Sequence, residues 1–494
     1  MHDFPAGRYN QQATICIQFV RPNMRRKLKL LIFLLLSSNW GYAQSHSFDA
    51  KIFTVEELRA DFTYWRDRLE QKHPLIYLYT PKYYLDSCFA SIYQAINHPM
   101  NELEFYKLIS PLPALIKDGH NFIIPSKQEI AILMHSDRLL PLDLTYIDRK
   151  LYVTLNLGSA EDLSTGMEII SINNISAEQM LNTFQSGMHR DGENLQLPNA
   201  LLRHSFRFYF HLYYGISETY VMEYRNTSGD VMPCTLPGST LDAIKKVKLS
   251  RYGNPENAAK FGLRLSIVDS LKAAVIAIRT FDAKTLKQTY HQNFKREVSA
   301  YFELIRKKGI SNLILDLRDN GGGDPNYVKF ILRNVLAQPF AQAIECRIVK
   351  DGSQGGFSER TRKKWYPWYG IGSFKPLKNS FKGNLYVLVN EGTFSSGVIL
   401  ASVLRKYNRA VFIGSETGGN PIIMGGYLLK TVWELPNTKM QVSPATLCTM
   451  YDAIHRNTGS GLIPDYIIKP TPQDLLAPGD RCLNYTYELI RNKK

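Results

Sequence analysis

From Ala273 onward the chain alternates short, almost wholly apolar segments with longer segments of helical periodicity. The apolar segments AAVIAIRTF, NLILDLR, NLYVLVN and RAVFIGSET predict strands, and residues 290–308, 325–336 and 395–407 predict the helices between them. Strands that are apolar throughout are typical of a parallel sheet with helices on its faces. The sequence therefore predicts an α/β core, with a parallel-rich sheet covered by helices, over residues 263–494.

Two regions of different character precede this core. Residues 44–135 predict helices, beginning with a capping box from Thr54 to Glu57 and continuing over 81–96 and 101–116. Residues 136–262 predict mostly strands and loops, with alternation at 151–155 and 206–214. Within them, residues 163–184 contain a turn, a short apolar strand, a polar turn and a helix, which resembles the core of a PDZ-type peptide-binding module. The whole chain is then α+β, with a helical amino-terminal region and a PDZ-like insert.

The segment MRRKLKLLIFLLLSSNWGYAQS, which begins at Met24, has a basic start, an apolar run and small residues before Gln44. This pattern predicts a secretory signal peptide with cleavage after Ala43 and a translation start at Met24. The apolar run is too short for a stable membrane anchor. We therefore expect an exported protein, periplasmic or extracellular, with no stable membrane span after cleavage.

The chain is basic, with a formal net charge of +16, but its lysines and arginines are scattered rather than clustered. Scattered charge is a surface property and does not predict nucleic-acid binding. The cysteines are widely spaced without a CxxC pair, so we expect mostly free thiols with at most one or two bridges. The sequence has no HExxH and no cluster with the spacing of metal ligands, so we expect no metal and no cofactor.

The segment NEGTFSSG places Ser395 and Ser396 in a turn between a predicted strand and a predicted helix. A serine at the first turn of a helix lies beside unpaired backbone N–H groups that favour a developing oxyanion. The same turn is typical of a nucleophilic serine, although Ser and Thr are also ordinary helix caps.

Three glycines, Gly321 to Gly323, follow another strand of the predicted sheet and allow backbone N–H groups to face a ligand closely. Since no nucleotide-loop spacing is present, an oxyanion hole suits this loop better than a phosphate site. A hydroxyl nucleophile also needs a base. His120 in KDGHNF is the first candidate, with His73 and His455 as alternatives.

Together, the motifs DGH, DLRDNGGG, TFSSG, IGSETGG and LIPDYIIKP resemble the serine peptidase family of the C-terminal processing (tail-specific) proteases and the tricorn protease core. The resemblance runs from about residue 54 to residue 470 and implies a ClpP/crotonase-like core. It implies Ser395 as the nucleophile, with the backbone N–H groups of Ser396 and Gly322 as oxyanion donors.

The two branches of that family differ in their base. The position of the lysine in the processing branch falls on Asn420, which cannot act as a base. The tricorn-like branch uses a histidine, and DGH at 118–120 implies His120. That branch also has a glutamate shortly before the closing Pro-Asp, where this chain has Thr458. Asp452 is the candidate acid and Glu416 the other nearby substitute.

These residues predict an exported serine endopeptidase that cleaves peptides or unfolded proteins through an acyl-enzyme. One alternative is a non-catalytic peptide-binding protein of the same fold, and another is an esterase that uses the same nucleophile. The PDZ-like region would either bind a substrate strand at its sheet edge or serve as an inert insert.

Overall fold

The computed structural model describes residues 51–253, 261–348, 370–427, 432–451, 459–476 and 479–493. The predicted signal peptide and Asp452 lie outside these residues. No helix in the described ranges combines the length and the apolar character that crossing a membrane requires. The five cysteines of these ranges are free thiols.

The amino-terminal region is helical, as predicted, with three short strands. It contains helices α1 (Val55–Lys72), α2 (Lys82–Ala95), α3 (Glu102–Ile109), α4 (Pro111–Ile116) and α5 (Lys127–Met134), and strands β1 (Ile52–Phe53), β2 (Met100–Asn101) and β3 (Phe122–Ile124). The capping box at the start of α1 is formed, because the side chain of Thr54 accepts from the Glu57 N–H and the Glu57 carboxylate accepts in return from the Thr54 N–H.

The second region is built on an antiparallel sheet of order β4-β5-β6-β8-β9, with β7 paired to β6. Its elements are β4 (Leu142–Ile147), β5 (Lys150–Asn156), β6 (Glu168–Ile172), β7 (Ile175–Ser176), β8 (Thr219–Arg225), β9 (Val231–Pro237), α6 (Ala177–Gly187), α7 (Gln196–Tyr214) and α8 (Leu241–Tyr252). The strand, turn and helix predicted within 163–184 correspond to β6, its polar turn and α6. Peptide binding by this region stays a prediction.

The strand predicted at 206–214 is wrong, because these residues form the second half of α7, after a kink at Ser205. Phe206 and Phe210 lie four residues apart and are both buried in the hydrophobic cluster against the sheet. Their spacing is helical, and the many aromatic residues around them made it look like alternation.

The third region contains the predicted parallel sheet. Its elements are β10 (Leu263–Val268), β11 (Ala273–Ile278), β12 (Asn312–Asp316), β13 (Glu345–Ile348), β14 (Asn384–Val389), β15 (Val411–Gly414), β16 (Ile423–Gly426), β17 (Trp433–Glu434), β18 (Gln441–Ser443), β19 (Leu447–Met450), β20 (Tyr466–Ile467), α9 (Ala283–Gln288), α10 (Phe294–Lys307), α11 (Pro325–Val335), α12 (Ser396–Lys406) and α13 (Arg481–Asn492), with short 3-10 turns at Asp269–Leu271 and Pro472–Leu475.

The strand order of this main sheet is β10-β11-β12-β14-β15-β20. Strand β10 pairs antiparallel with β11, and every later pair is parallel. Alternate residues along each strand enter different hydrophobic clusters, as Leu313 and Leu315 do on one face and Ile314 on the other. Both faces are therefore buried, which explains the continuously apolar strands.

Strand β3 of the amino-terminal region pairs antiparallel with β18, so that Ile123 lies opposite Val442. This small sheet, of order β17-β18-β3, fixes the segment that follows His120 against the core region. A chain segment some 275 residues before Ser395 is held in this way beside the main sheet.

The buried carboxyl of Glu102, at the start of α3, anchors the other end of the same segment. It accepts hydrogen bonds from the backbone N–H and the hydroxyl of Ser126, which follows β3. Burial raises the pKa of Glu102 to about 7, although the hydrogen bonds from Ser126 act against this. Near neutral pH, the carboxyl therefore carries a proton in part of the molecules.

The variant Glu102→Gln should change how stability depends on pH. Because the pKa of Glu102 is raised on folding, the unfolded chain loses this proton first, and stability falls as pH rises from about 4.5 to about 7. A glutamine does not ionise, so the variant should not show this loss. Above that pH range, its free energy of unfolding should gain on the order of 1–3 kcal/mol relative to that of the wild type. Urea unfolding at pH 5 and at pH 8 measures the difference. An equal stability difference at both pH values would contradict the prediction.

Candidate active site

Ser395 stands at the junction of β14 and α12 in an unusual backbone conformation. Its φ of 50° and ψ of −124° lie in a region that L-residues rarely occupy. It holds the N-cap position of α12, yet its side chain makes no capping hydrogen bond. Ser395 therefore does not cap the helix with its hydroxyl, as a serine at this position usually does. A strained strand-to-helix turn that leaves the hydroxyl uncommitted is the geometry of a nucleophile elbow.

The hydroxyl of Ser395 faces the imidazole of His120. The distance from Ser395 Oγ to His120 Nε2 is 3.1 Å, within hydrogen-bond reach. His120 is 5% exposed, and its ring lies between Phe394, stacked at 4.7 Å, and Tyr427, edge-on at 5.4 Å. The hydroxyl of Tyr427 also donates to the His120 carbonyl. These contacts leave the ring little freedom to turn away from the serine.

The turn that presents His120 is built by the motif DGH itself. Helix α4 ends at Lys117 in a left-handed conformation, and the Asp118 carboxylate then accepts the His120 N–H at 2.8 Å. Aspartate commonly stabilises a turn by accepting the N–H two residues further on. The motif therefore fixes the backbone of the histidine as well as supplying its side chain.

Asp118 is the carboxylate that lies nearest to the imidazole among the ion-pair contacts of the described residues. Its Oδ1 lies 3.8 Å from His120 Nδ1, and its Oδ2 lies 3.1 Å from His73 Nε2. Burial would raise the pKa of Asp118, but the two neighbouring imidazoles outweigh burial and hold it well below its usual range. Asp118 is thus a carboxylate at neutral pH. The sequence interpretation passed over it, although it stands two residues from His120.

The other candidate acids have different surroundings. Asp452 is not among the described residues. Glu416 accepts the Gly461 N–H at 2.8 Å and a long hydrogen bond of 3.3 Å from Gln196. Glu416 therefore ties the start of α7 to the loop at Gly461.

A second buried carboxylate, Asp191, supports the histidine turn from behind. It accepts the Gly119 N–H at 2.7 Å and the Asn420 N–H at 2.9 Å. Burial and the nearby charge of Asp118 raise the pKa of Asp191 to about 6. The side chain of Asn420 donates to the Tyr79 hydroxyl and accepts the Ile422 N–H. The residue at the lysine position of the processing branch thus has a structural role.

The predicted oxyanion donors lie on both sides of Ser395. Ser396 is the first residue of α12, and the described backbone hydrogen bonds include none from its N–H. Its hydroxyl donates to the Gly323 carbonyl, which joins the serine turn to the glycine run. The Gly322 N–H donates to Asn320 Oδ1 at 2.9 Å. Among the described residues, the Ser396 N–H is therefore open to a ligand, whereas the Gly322 N–H is paired inside its own loop.

Gly322 contacts the nucleophile so closely that no side chain fits. A Cβ on Gly322 would lie 2.5 Å from the Ser395 Cβ and 3.0 Å from Oγ, and the φ of Gly322 is +103°. Both the space and the backbone angle require glycine. The predicted glycine run thus lies against the predicted nucleophile.

An elbow serine, a buried histidine within reach of its hydroxyl and backbone N–H groups beside it are the apparatus of a serine-type peptidase. A comparison with family models gives one match here: residues 272–468 match the model described as "Peptidase family S41".

A curated relative is the carboxyl-terminal-processing protease of Picosynechococcus sp. (strain ATCC 27264 / PCC 7002 / PR-6), which is 26% identical over 250 residues. The match covers 50% of this chain and 51% of the relative, so the chain spans about half the length of the curated relative that it matches.

Among solved structures, mature CPAF aligns with a TM-score of 0.61 at 13% identity, over 88% of this chain and 96% of that one. The structure of mature CPAF complexed with lactacystin aligns with the same TM-score over 89% and 97%. At this identity the likeness shows a shared fold. The mixed α/β architecture predicted from the sequence is thereby confirmed.

The variant Gly322→Ala should abolish labelling of Ser395 by a fluorophosphonate probe, because the new Cβ displaces the serine and strains the loop. Gly321→Ala is the matched control, since a Cβ there meets nothing within 4 Å. We expect at least a ~100-fold loss of labelling rate for Gly322→Ala, the size of effect of losing oxyanion stabilisation, and less than about threefold for Gly321→Ala. Equal rates in the two variants would contradict the close contact.

Proposed function

We propose that this chain is an exported serine endopeptidase that hydrolyses peptide bonds in peptides or unfolded proteins through an acyl-enzyme. The observation that carries the proposal is the 3.1 Å approach of His120 Nε2 to the Oγ of Ser395 at a strained turn. Export rests on the sequence pattern of residues 24–43. The match of residues 272–468 to the model of peptidase family S41 supports the reaction class.

In the proposed reaction, Ser395 Oγ attacks the carbonyl carbon while His120 Nε2 accepts the hydroxyl proton. The carbonyl oxygen becomes an oxyanion beside the N–H groups of Ser396 and Gly322. Since the Gly322 N–H is paired with Asn320, it has to turn toward the oxyanion or be shared with it. The imidazolium then gives its proton to the leaving amine, and the acyl-enzyme forms. Water, deprotonated by His120, releases the second product and restores Ser395.

The charge on His120 during both steps needs a nearby anion. Asp118 fits this role because it is ionised and lies 3.8 Å from the second ring nitrogen of His120. That nitrogen is buried without an aligned hydrogen-bond partner in the described structure. Catalytic hydrogen bonds are often long before substrate binds, and this contact would have to shorten in the same way. We therefore propose Asp118, in place of Asp452, as the acid.

The nucleophile and the base can be tested together with a fluorophosphonate probe and peptide mapping. The wild type should be labelled at Ser395, while Ser395→Ala and His120→Ala should lose labelling and the cleavage of an unfolded protein substrate. Ser396→Ala is the matched control, because its hydroxyl bonds to the Gly323 carbonyl and should not be the site of labelling.

Three results would point elsewhere. No labelling of folded wild-type protein would favour the non-catalytic peptide-binding protein. Labelling that moves to Ser396 would reassign the nucleophile. Turnover of small esters without cleavage of unfolded protein would favour the esterase.

The acid can be identified by comparing Asp118→Asn with Asp452→Asn. Asparagine cannot hold the His120 proton in place or offset its charge, so Asp118→Asn should lower kcat on the order of 10²–10⁴-fold with little change in KM. Asp452→Asn should change kcat less than about threefold. Steady-state kinetics on one peptide substrate measures both variants, and the reverse ranking would return the role of acid to Asp452.

A further inference from the structure

A second histidine lies on the opposite side of Asp118 from His120. His73 ends helix α1, where its N–H donates to the Leu69 carbonyl, and it is 2% exposed. Its Nε2 lies 3.1 Å from Asp118 Oδ2, and its Nδ1 accepts the Leu75 N–H at 3.2 Å. The sequence interpretation kept His73 only as an alternative base. In the structure it lies beside the Asp118 carboxylate, on the side away from His120.

The contacts of His73 fix which ring nitrogen carries the proton. Nδ1 accepts a backbone N–H, so it has a free lone pair and no proton. The proton of the neutral ring must then be on Nε2, the atom that faces Asp118. A ring with the opposite tautomer would bring two protons together at Leu75 and a lone pair toward the carboxylate. The His73 ring can therefore only donate toward Asp118, and at 3.1 Å its Nε2 is close to the carboxylate but not aligned for a hydrogen bond in the described structure.

We propose that His73 is a positioning residue: it lies behind Asp118 in the series Ser395, His120, Asp118, His73 and orients the Asp118 carboxylate toward His120. The proposal rests on the role of Asp118 given above. Each oxygen of Asp118 then has its own neighbour: Oδ2 lies 3.1 Å from the His73 ring nitrogen, while Oδ1 accepts the His120 N–H and faces the ring of His120.

The need for such a donor follows from the groups packed around Asp118. Burial favours the protonated form of Asp118, and the pKa of the neighbouring Asp191 is itself raised by burial and by the charge of Asp118. Burial and the neighbouring His120 lower the pKa of His189 to about 4, so His189 supplies no cation at neutral pH. The other titratable groups that sense the charge of Asp118 are Tyr427 and Cys448, and burial raises the pKa of both. His73 and His120 are thus the groups that hold the pKa of Asp118 down.

A merely structural histidine would predict something different. His73 ends a helix and fills a buried site, so its loss could reduce stability without any effect on the chemistry. A positioning role instead predicts a pH-dependent loss of reactivity. Without its second donor, the pKa of Asp118 would rise, and the carboxyl would stay protonated up to a higher pH. It also predicts that the loss depends on Asp118 being present.

The variants His73→Phe and His73→Gln separate these roles. Phenylalanine fills the volume and removes both polar atoms, whereas the glutamine amide can donate to Asp118 and accept from Leu75. With a fluorophosphonate probe, the labelling rate of His73→Phe should fall by about tenfold at pH 8 and by more than about thirtyfold at pH 6. His73→Gln should stay within about threefold of wild type and keep the wild-type pH profile. A loss that is equal for both variants, or independent of pH, would overturn the proposal.

A double mutant tests whether His73 acts through Asp118. If it does, His73→Phe should add less than about twofold to the loss already caused by Asp118→Asn. Independent, multiplying losses would refute the proposal. This result is distinct from a failure of the proposed function, in which the wild type itself is not labelled.

A measurement on the wild-type protein covers the case in which His73→Phe does not fold. In protein labelled with ¹⁵N-histidine, the nitrogen shifts assigned to His73 by comparison with His73→Gln should show the neutral tautomer protonated at Nε2. A ring protonated at Nδ1 would overturn the proposal, whether or not Ser395 reacts with the probe.

Discussion

The site depends first on the parallel pairing of β12 with β14. Because the strands run in the same direction and in register from Asn312 opposite Asn384, their carboxyl ends lie side by side. The turns that follow are then tied together: the Phe394 N–H donates to the Asn320 carbonyl, and the Thr393 hydroxyl donates to the Leu317 carbonyl. The strained conformation of Ser395 persists because its neighbours on both sides are fixed to the glycine turn.

The histidine reaches this edge by a separate route. Strand β3 is paired to β18, and Asp191 binds the backbone at Gly119 and at Asn420. The anchors lie on both sides of His120 in the chain, one just before it and one just after it. One anchor is a main-chain ladder and the other is the buried Asp191 carboxylate, which binds main-chain N–H groups, so His120 is held by the backbone on both sides. Precise placement of a base within 3.1 Å of a hydroxyl needs this kind of support.

The parts that sequence predicted well are those that local chemistry dictates. The strands around Ile314 and Val387 are buried on both faces and could be identified by their apolar residues alone, and the turns that follow had to hold Ser395 and the glycines. The helix at 206–214 was misread because aromatic residues obscured its period. That His120 and Ser395 meet was inferred through a resemblance, since no local pattern reports a contact across 275 residues.

The proposed acid shows most clearly what could not be predicted from the sequence. The resemblance directed attention to residues near the closing Pro-Asp, while Asp118 stood inside the motif already chosen for its histidine. An aspartate two residues before a histidine reads as a turn former, and here it is one. The role of acid proposed for it depends on the rotation of its carboxyl between two rings, which is a property of packed side chains and leaves no trace in spacing. Asp452 lies outside the described residues, so comparison of the two rests on the variants.

The pairing of β3 with β18 has a consequence for when reactivity arises during biosynthesis. Strand β18 is formed by residues Gln441–Ser443, far downstream of β3 in the chain. A ribosome therefore has to synthesise the whole core segment between them before the partner of β3 exists, and until then nothing in this small sheet holds the imidazole beside the serine. In a nascent or still extended chain, the proposed nucleophile and the proposed base are not in contact. The contact between the proposed base and nucleophile therefore depends on completion of this small sheet.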